Sequence, residues 1–280
     1  MTGFWFVTNP PYICSLVIRI DWETCPLSLY SLDDVVMNSR PVFFLDLDGT
    51  IIYSKRIKSE KMVTVGAHSI NEEPNGWYGP NQKQLMEWLM SSGDVVITTG
   101  RSLSGTQRAL LPFSGWKICC FGGLILSPNG EVHAPWVQHI DEYAKGQQDW
   151  IQTEMAAIQE FITQHKIDVR TRIVPITKQT DYYVIKHNQK DLARFDKLVD
   201  FVSSRVPSGW FIHCNANNIS VLPPQVRKSN AVCWIQENIF PNRLYVGIGD
   251  SLSDLDYFKE CHFSMVPKIS QIMNFISSSI

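Results

Sequence analysis

The chain has 280 residues, 44% hydrophobic and 19% charged, a composition that fills a sizeable folded core and excludes an intrinsically disordered protein. Its 25 Lys and Arg against 27 Asp and Glu leave a formal net charge of −2, which gives no general attraction for nucleic acid or anionic membrane, so any anion site must be local. Seven cysteines, odd in number and without C-x-x-C spacing, argue against a disulfide framework or a zinc site and for a reducing cytosol.

The N-terminal stretch Gly3–Cys14 is apolar, but it lacks a basic leading segment and is interrupted by Pro10 and Pro11, so it is not read as a signal peptide. Residues 1–36 show neither helix nor strand period. Residues 1–40 are therefore expected to form an N-terminal extension ahead of the first core strand, with 1–36 poorly ordered or dispensable. No run of about eighteen apolar residues occurs, so no membrane span is expected.

Val42–Leu45 is a continuous apolar run, the signature of a strand buried on both faces. Asp46 and Asp48 follow at its C-terminal end, two residues apart, so both can face one small volume. Gly49 then permits a tight turn. Residues 51–79 mix Gly, Pro, Asn and charge with little period and read as a loop or small flap. Asn81–Met90 reads as a helix with Leu85, Trp88 and Leu89 inward, closed by Gly93. Asp94–Arg101 is a second buried strand ending in small and polar residues, Ser102–Leu111 a helix, and Trp116–Phe121 a third strand. This alternation predicts a parallel sheet covered on both faces.

The pattern changes after Gly122 and Gly123. A hairpin is expected over 124–132 around Asn129–Gly130, then a helix over 142–165 with Ile151, Met155, Ile158 and Ile162 on one face. A hairpin (169–176 and 181–187), a helix (190–205) and a second hairpin near 210–222 complete an α+β module. The parallel-sheet pattern resumes with a helix at 227–239, a strand at 244–248, a helix at 252–259 and a strand at 262–266. The fold class expected is α/β, a doubly wound mainly parallel sheet from 41–123 and 223–280, with residues 124–222 inserted as a separate unit.

Ligands in such sheets bind beyond the C-terminal strand ends. That edge gathers Asp46, Asp48, Thr98, Thr99, Gly100, Arg101 and the segment Gly249–Asp254. The carboxylates make a pocket suited to an oxygen-seeking cation such as Mg²⁺. Thr99 and the backbone amides around Gly49 and Gly100 could hold phosphate oxygens.

This arrangement resembles the haloacid dehalogenase-like phosphatase superfamily, whose four motifs stand here in order as Asp46–Thr50, Thr98–Arg101, Lys228 within Pro224–Asn230, and Gly249–Asp254. An insertion between the second and third motifs is similar to the C2-type cap of subclass IIB, which includes sucrose-phosphate and trehalose-phosphate phosphatases. The resemblance implies Asp46 as nucleophile and Asp48 as general acid and base. It implies Thr99 and Lys228 as phosphate-stabilising groups, with Arg101 ranked after them. It further implies Mg²⁺ held by Asp46, Asp250 and the backbone carbonyl of Asp48, with Asp254 as outer ligand or positioner. Ser253 stands where that family often carries Asn. Substrate choice is expected to lie in the insertion, with Arg170, Arg172, Lys178, Tyr182, Tyr183, Lys186 and His187 of its first hairpin as candidates, and Trp136, His139 and Tyr143 near the crossing. The activity implied is hydrolysis of a small phosphorylated metabolite, a sugar phosphate foremost, by a cytoplasmic monomer or homodimer. A sugar phosphomutase, or a non-catalytic protein that binds a phosphometabolite, are the alternative readings.

Overall fold

The computed structural model describes residues 40–55, 59–144, 146–188, 192–215 and 218–279. The expected N-terminal extension lies outside the described residues except for Arg40, whose guanidinium donates to the carbonyls of Met90 (2.8 Å) and Gly93 (2.9 Å).

The elements in chain order are β1 (Val42–Leu45), β2 (Thr64–His68), β3 (Pro74–Tyr78), α1 (Pro80–Ser92), β4 (Asp94–Thr98), α2 (Leu103–Gln107), β5 (Lys117–Cys119) and β6 (Leu124–Leu126). There follow α3 (Ala134–Asp141), α4 (Gln147–His165), β7 (Val169–Pro175), β8 (Asp181–His187), α5 (Leu192–Arg205), β9 (Phe211–Asn215) and β10 (Asn218–Leu222). The chain closes with α6 (Lys228–Asn238), β11 (Tyr245–Ile248), α7 (Leu255–Phe258), β12 (Phe263–Met265) and α8 (Gln271–Ser278).

Six strands form the central sheet in the order β12-β11-β1-β4-β5-β6, parallel except for β6, which runs antiparallel to β5. The sequence of β1 explains its central place. Val42 and Phe44 pack on one face against Ala231, Val232 and Ile235 of α6, while Phe43 and Leu45 pack on the other against Met86 and Leu89 of α1. Each fully buried side chain of this size stabilises the fold by roughly 1.5–3 kcal/mol. The inserted unit is a four-stranded antiparallel sheet, β7-β8-β10-β9, backed by α4 and α5. Alternating Tyr183 and Ile185 of β8 and Ile219 and Val221 of β10 meet Ile151, Ile158, Leu198 and Val202 of the helices.

The structure departs from the sequence reading in several places. Residues 64–78, expected as a loop or small flap, form an antiparallel hairpin with register shifts near Ala67. A separate helix, α3, precedes α4, and Pro135 in its first turn is the signal for it. Leu124–Leu126, expected in the inserted unit, joins the central sheet instead. Trp88, expected inward, is half exposed.

The chain leaves the central unit ahead of α4 and returns after β10. At this crossing the side-chain amides of Gln147 and Gln225 donate to each other, at 2.9 and 2.8 Å.

Candidate active site

The C-terminal ends of β1, β4 and β11 meet at one edge of the central sheet. The Asp46 amide donates to the Ile248 carbonyl (2.8 Å), so β1–β11 pairing fixes the first acid beside the second acidic loop. After Leu47 the chain turns sharply, with Gly49 at φ 91°, and a Cβ at Gly49 would overlap the Asp250 carboxylate. Gly249 is confined in the same way by Asp254. Only glycine lets the two acidic loops approach this closely.

Lys228 occupies the first position of α6, where a cation opposes the helix dipole. It is nevertheless buried, because its Nζ donates to Asp46 Oδ1 and Asp254 Oδ1, both at 2.7 Å. The Tyr257 ring lies 5.6 Å from the same nitrogen. Burial alone would favour a neutral amine, but Asp254 and Asp46 override it and hold the Lys228 pKa above its ordinary value. Asp46 is pushed up by burial and by Asp254 and Asp250, against the pull of Lys228. Asp250 rises to about 7 through burial and the nearby Asp254 carboxylate.

Asp46, Asp250 and Asp254 each offer a carboxylate oxygen within 4.8 Å of the others. Three hard oxygens so close fit a small divalent cation, which would offset both the burial and the mutual repulsion that push Asp46 and Asp250 up. Asp254 is also engaged elsewhere. Its Oδ2 accepts from the amides of Asp250 (3.1 Å) and Ser251 (3.0 Å) and from Ser251 Oγ (3.0 Å), which makes it the pivot of the loop. Ser253 Oγ lies 2.7 Å from Ser251 Oγ, so the hydroxyl at this position joins the same network.

The carboxylate of Asp48 is not one of the three in this cluster. Both its oxygens accept from Arg101, at 2.7 and 2.6 Å, and its carboxylate is about half exposed. Arg101 thus holds Asp48 and not the acidic cluster. Thr99 is buried, and its Oγ1 accepts from the Arg101 amide (3.2 Å); a hydroxyl that accepts one bond still has a proton to donate. Gly100 is held by Phe121, whose ring would lie 2.5 Å from a Cβ there.

Of the first-hairpin candidates of the inserted unit, Arg170, Arg172, Lys178 and Lys186 are exposed, and Tyr182, Tyr183 and His187 are buried, Tyr182 with its ring 6.2 Å from Phe121. Trp136 is buried and donates to the Gly122 carbonyl (3.0 Å), and His139 stacks on it, so both read as packing residues. Phe121, Phe211 and Arg227, to which the sequence reading gave no role at the site, line with Lys228, Ser253 and Asp256 a cavity of about 10 Å³ between the two sheets. His213 of β9 brings its ring within 5.0 Å of Phe121. The only signal in the sequence was the i, i+2 placement of Phe211 and His213 on one strand face.

A mainly parallel sheet with this acidic edge and an inserted antiparallel cap defines a haloacid dehalogenase-like hydrolase of the C2-capped branch. The model of the sucrose-6F-phosphate phosphohydrolase family matches residues 40–267, and the chain belongs to that family of phosphoric monoester hydrolases. Among solved structures, the chain is similar to the sucrose-phosphatase of Synechocystis sp. PCC6803 in complex with sucrose and phosphate, with 13% identity, TM-score 0.52, and coverage of 86% of this chain and 98% of that one. It is also similar to the C-terminal domain of Candida albicans trehalose-6-phosphate phosphatase, with 14% identity, TM-score 0.52, and coverage of 79% and 73%. At these identities the likeness is one of fold. A search of curated proteins finds no match. No helix among the described residues is long and apolar enough to cross a membrane.

Proposed function

We infer that the protein is a cytoplasmic, Mg²⁺-dependent phosphatase of a small sugar phosphate, working through a phosphorylated Asp46. The observation that carries this reading is the cluster of Asp46, Asp250 and Asp254 with Lys228 bridging two of them, on the strand edge of a chain from a sugar-phosphate phosphohydrolase family.

In this reading an Asp46 oxygen attacks phosphorus and the bond from phosphorus to the sugar oxygen breaks. Asp48 gives a proton to that departing oxygen, then takes one from the water that attacks the aspartyl-phosphate and frees Asp46. To do so it must exchange its two hydrogen bonds to Arg101 for the leaving group. Lys228 and the Thr99 hydroxyl face the phosphoryl oxygens, where the ammonium offsets the charge that builds in the transition state. Asp46, Asp250 and the Asp48 carbonyl would hold Mg²⁺, and Asp254 would orient Lys228 and the 249–254 loop. The ion, when bound, screens the anionic substrate from the carboxylates around it.

The test is a panel of phosphorylated metabolites, with and without Mg²⁺, comparing wild type with Asp46→Asn. Release of phosphate only by wild type and only with Mg²⁺ is expected; equal release by both proteins overturns the mechanism.

A further inference from the structure

The turn joining β5 to β6 has an unusual backbone. Cys120 (φ 53°), Phe121 (φ 57°) and Gly122 (φ 100°) are three successive residues in the left-handed region, two of them with side chains that disfavour it. The surroundings enforce this shape. The Cys120 amide donates to the Arg101 carbonyl (2.7 Å), the Phe121 amide to the Thr99 carbonyl (3.3 Å), and Trp136 holds the Gly122 carbonyl. Simple packing of a phenyl ring does not need such a backbone, and strain of this kind gathers where it aims a side chain at a task.

The turn aims the Phe121 ring into the seam between the sheets. On its core side the ring covers Gly100, between Thr99 and Arg101. On its cap side it meets His213 at 5.0 Å and Tyr182 edge-on at 6.2 Å. Phe211, on the same face of β9 as His213, lines the small cavity that also reaches Lys228. Arg227 fixes Phe211, with its guanidinium 4.9 Å from the ring centroid and a hydrogen bond to the Gly209 carbonyl (3.1 Å). His213 is half-buried, and burial together with Lys228 lowers its pKa to about 4, so at neutral pH its imidazole has one donor and one acceptor.

We propose that Phe121 from the core, with Phe211 and His213 from the cap, forms the subsite that binds the sugar ring of the leaving group. The apolar C–H face of a sugar packs on the aromatic walls, and its hydroxyls reach the neutral imidazole. The cavity has room for about one water, so the sugar enters when the two walls part. This assignment rests on the sugar-phosphatase reading above, and its test separates the two.

The experiment measures kcat/KM for the best-hydrolysed sugar phosphate of a panel that includes sucrose 6F-phosphate, and for acetyl phosphate, which carries no sugar. Phe121→Asn removes the ring but keeps a residue that tolerates a left-handed backbone. Phe211→Leu tests the opposite wall without touching that turn, and the exposed Glu160→Ala on α4 serves as control. The sugar-to-acetyl ratio is expected to fall at least tenfold in Phe121→Asn and at least fivefold in Phe211→Leu, and to stay at the wild-type value in Glu160→Ala. Should Phe121→Asn fail to fold by thermal melting, Phe211→Leu and His213→Ala decide. An unchanged ratio in the folded variants overturns the subsite and leaves the phosphatase standing. Wild-type turnover of acetyl phosphate with no sugar phosphate hydrolysed overturns the subsite and the sugar specificity, while turnover of neither overturns the phosphatase reading as well.

Discussion

Asp46 and Asp48 stand two residues apart on one extended stretch, yet the chain gives them opposite surroundings. Asp46 is buried against Lys228, whereas Asp48 is half exposed and held by Arg101. The proposed division of labour rests on this contrast: a buried carboxylate beside an ammonium is placed to attack, and a half-exposed one can exchange its Arg101 bonds to carry protons. Asp48→Asn is expected to lower sugar-phosphate turnover by about 10²–10⁴-fold. The first-turnover burst with p-nitrophenyl phosphate, whose leaving group needs no proton, should lose far less; equal losses on both substrates would remove Asp48 from the role of acid. The positions of Asp46, Lys228 and Asp250 could be read from sequence because each follows an apolar run or stands in a local motif. The pairing of Asp48 with Arg101 could not, because it joins residues fifty-three positions apart through side-chain geometry alone.

Among the elements, the β5–β6 turn carries the most constraint. Gly122 has φ 100°, and a Cβ there would overlap the Arg227 carbonyl just before α6. Gly122→Ala combines a left-handed alanine with a clash against backbone, and is expected to destabilise the protein by about 3 kcal/mol, measured by urea denaturation. A change below about 0.5 kcal/mol would mean that the turn relaxes freely. The strands β1, β4 and β11 were plain in the sequence, since runs such as Val42–Leu45 and Asp94–Thr98 are buried on both faces. The β2–β3 hairpin was not, because its register shifts break the alternation and only part of it is buried. The helix α2 ends at Gln107, four residues short of the expected end, because the chain then turns back and Leu110 donates to the Gly66 carbonyl of β2 (2.8 Å).

Over the whole molecule, two sheets face each other across the site, and His213 titrates in the seam between them. The charged groups that face it are Lys228, which opposes its protonation, and Asp254, which favours it. With a folded pKa of about 4 against an ordinary 6.5, the unfolded chain binds the proton and the folded chain does not between these values. Stability is therefore expected to fall as pH drops from about 6.5 towards 4. His213→Gln should lose less melting temperature than wild type between pH 7 and pH 5; identical losses would show that burial in the seam does not control this group. That an antiparallel sheet interrupts the parallel one was legible because the pattern of elements changes after Gly123 and returns after Leu222, although Leu124–Leu126 stays with the central sheet. The seam itself was not, because Phe121 and His213 meet only once both sheets exist. The mutual hydrogen bonds of Gln147 and Gln225 have a consequence for descent. The insert departs and returns through one narrow doorway, so a change in its length or content need not disturb the register of β1, β4 and β11. One stretch of the gene can then vary while the two stretches that build the central sheet are kept.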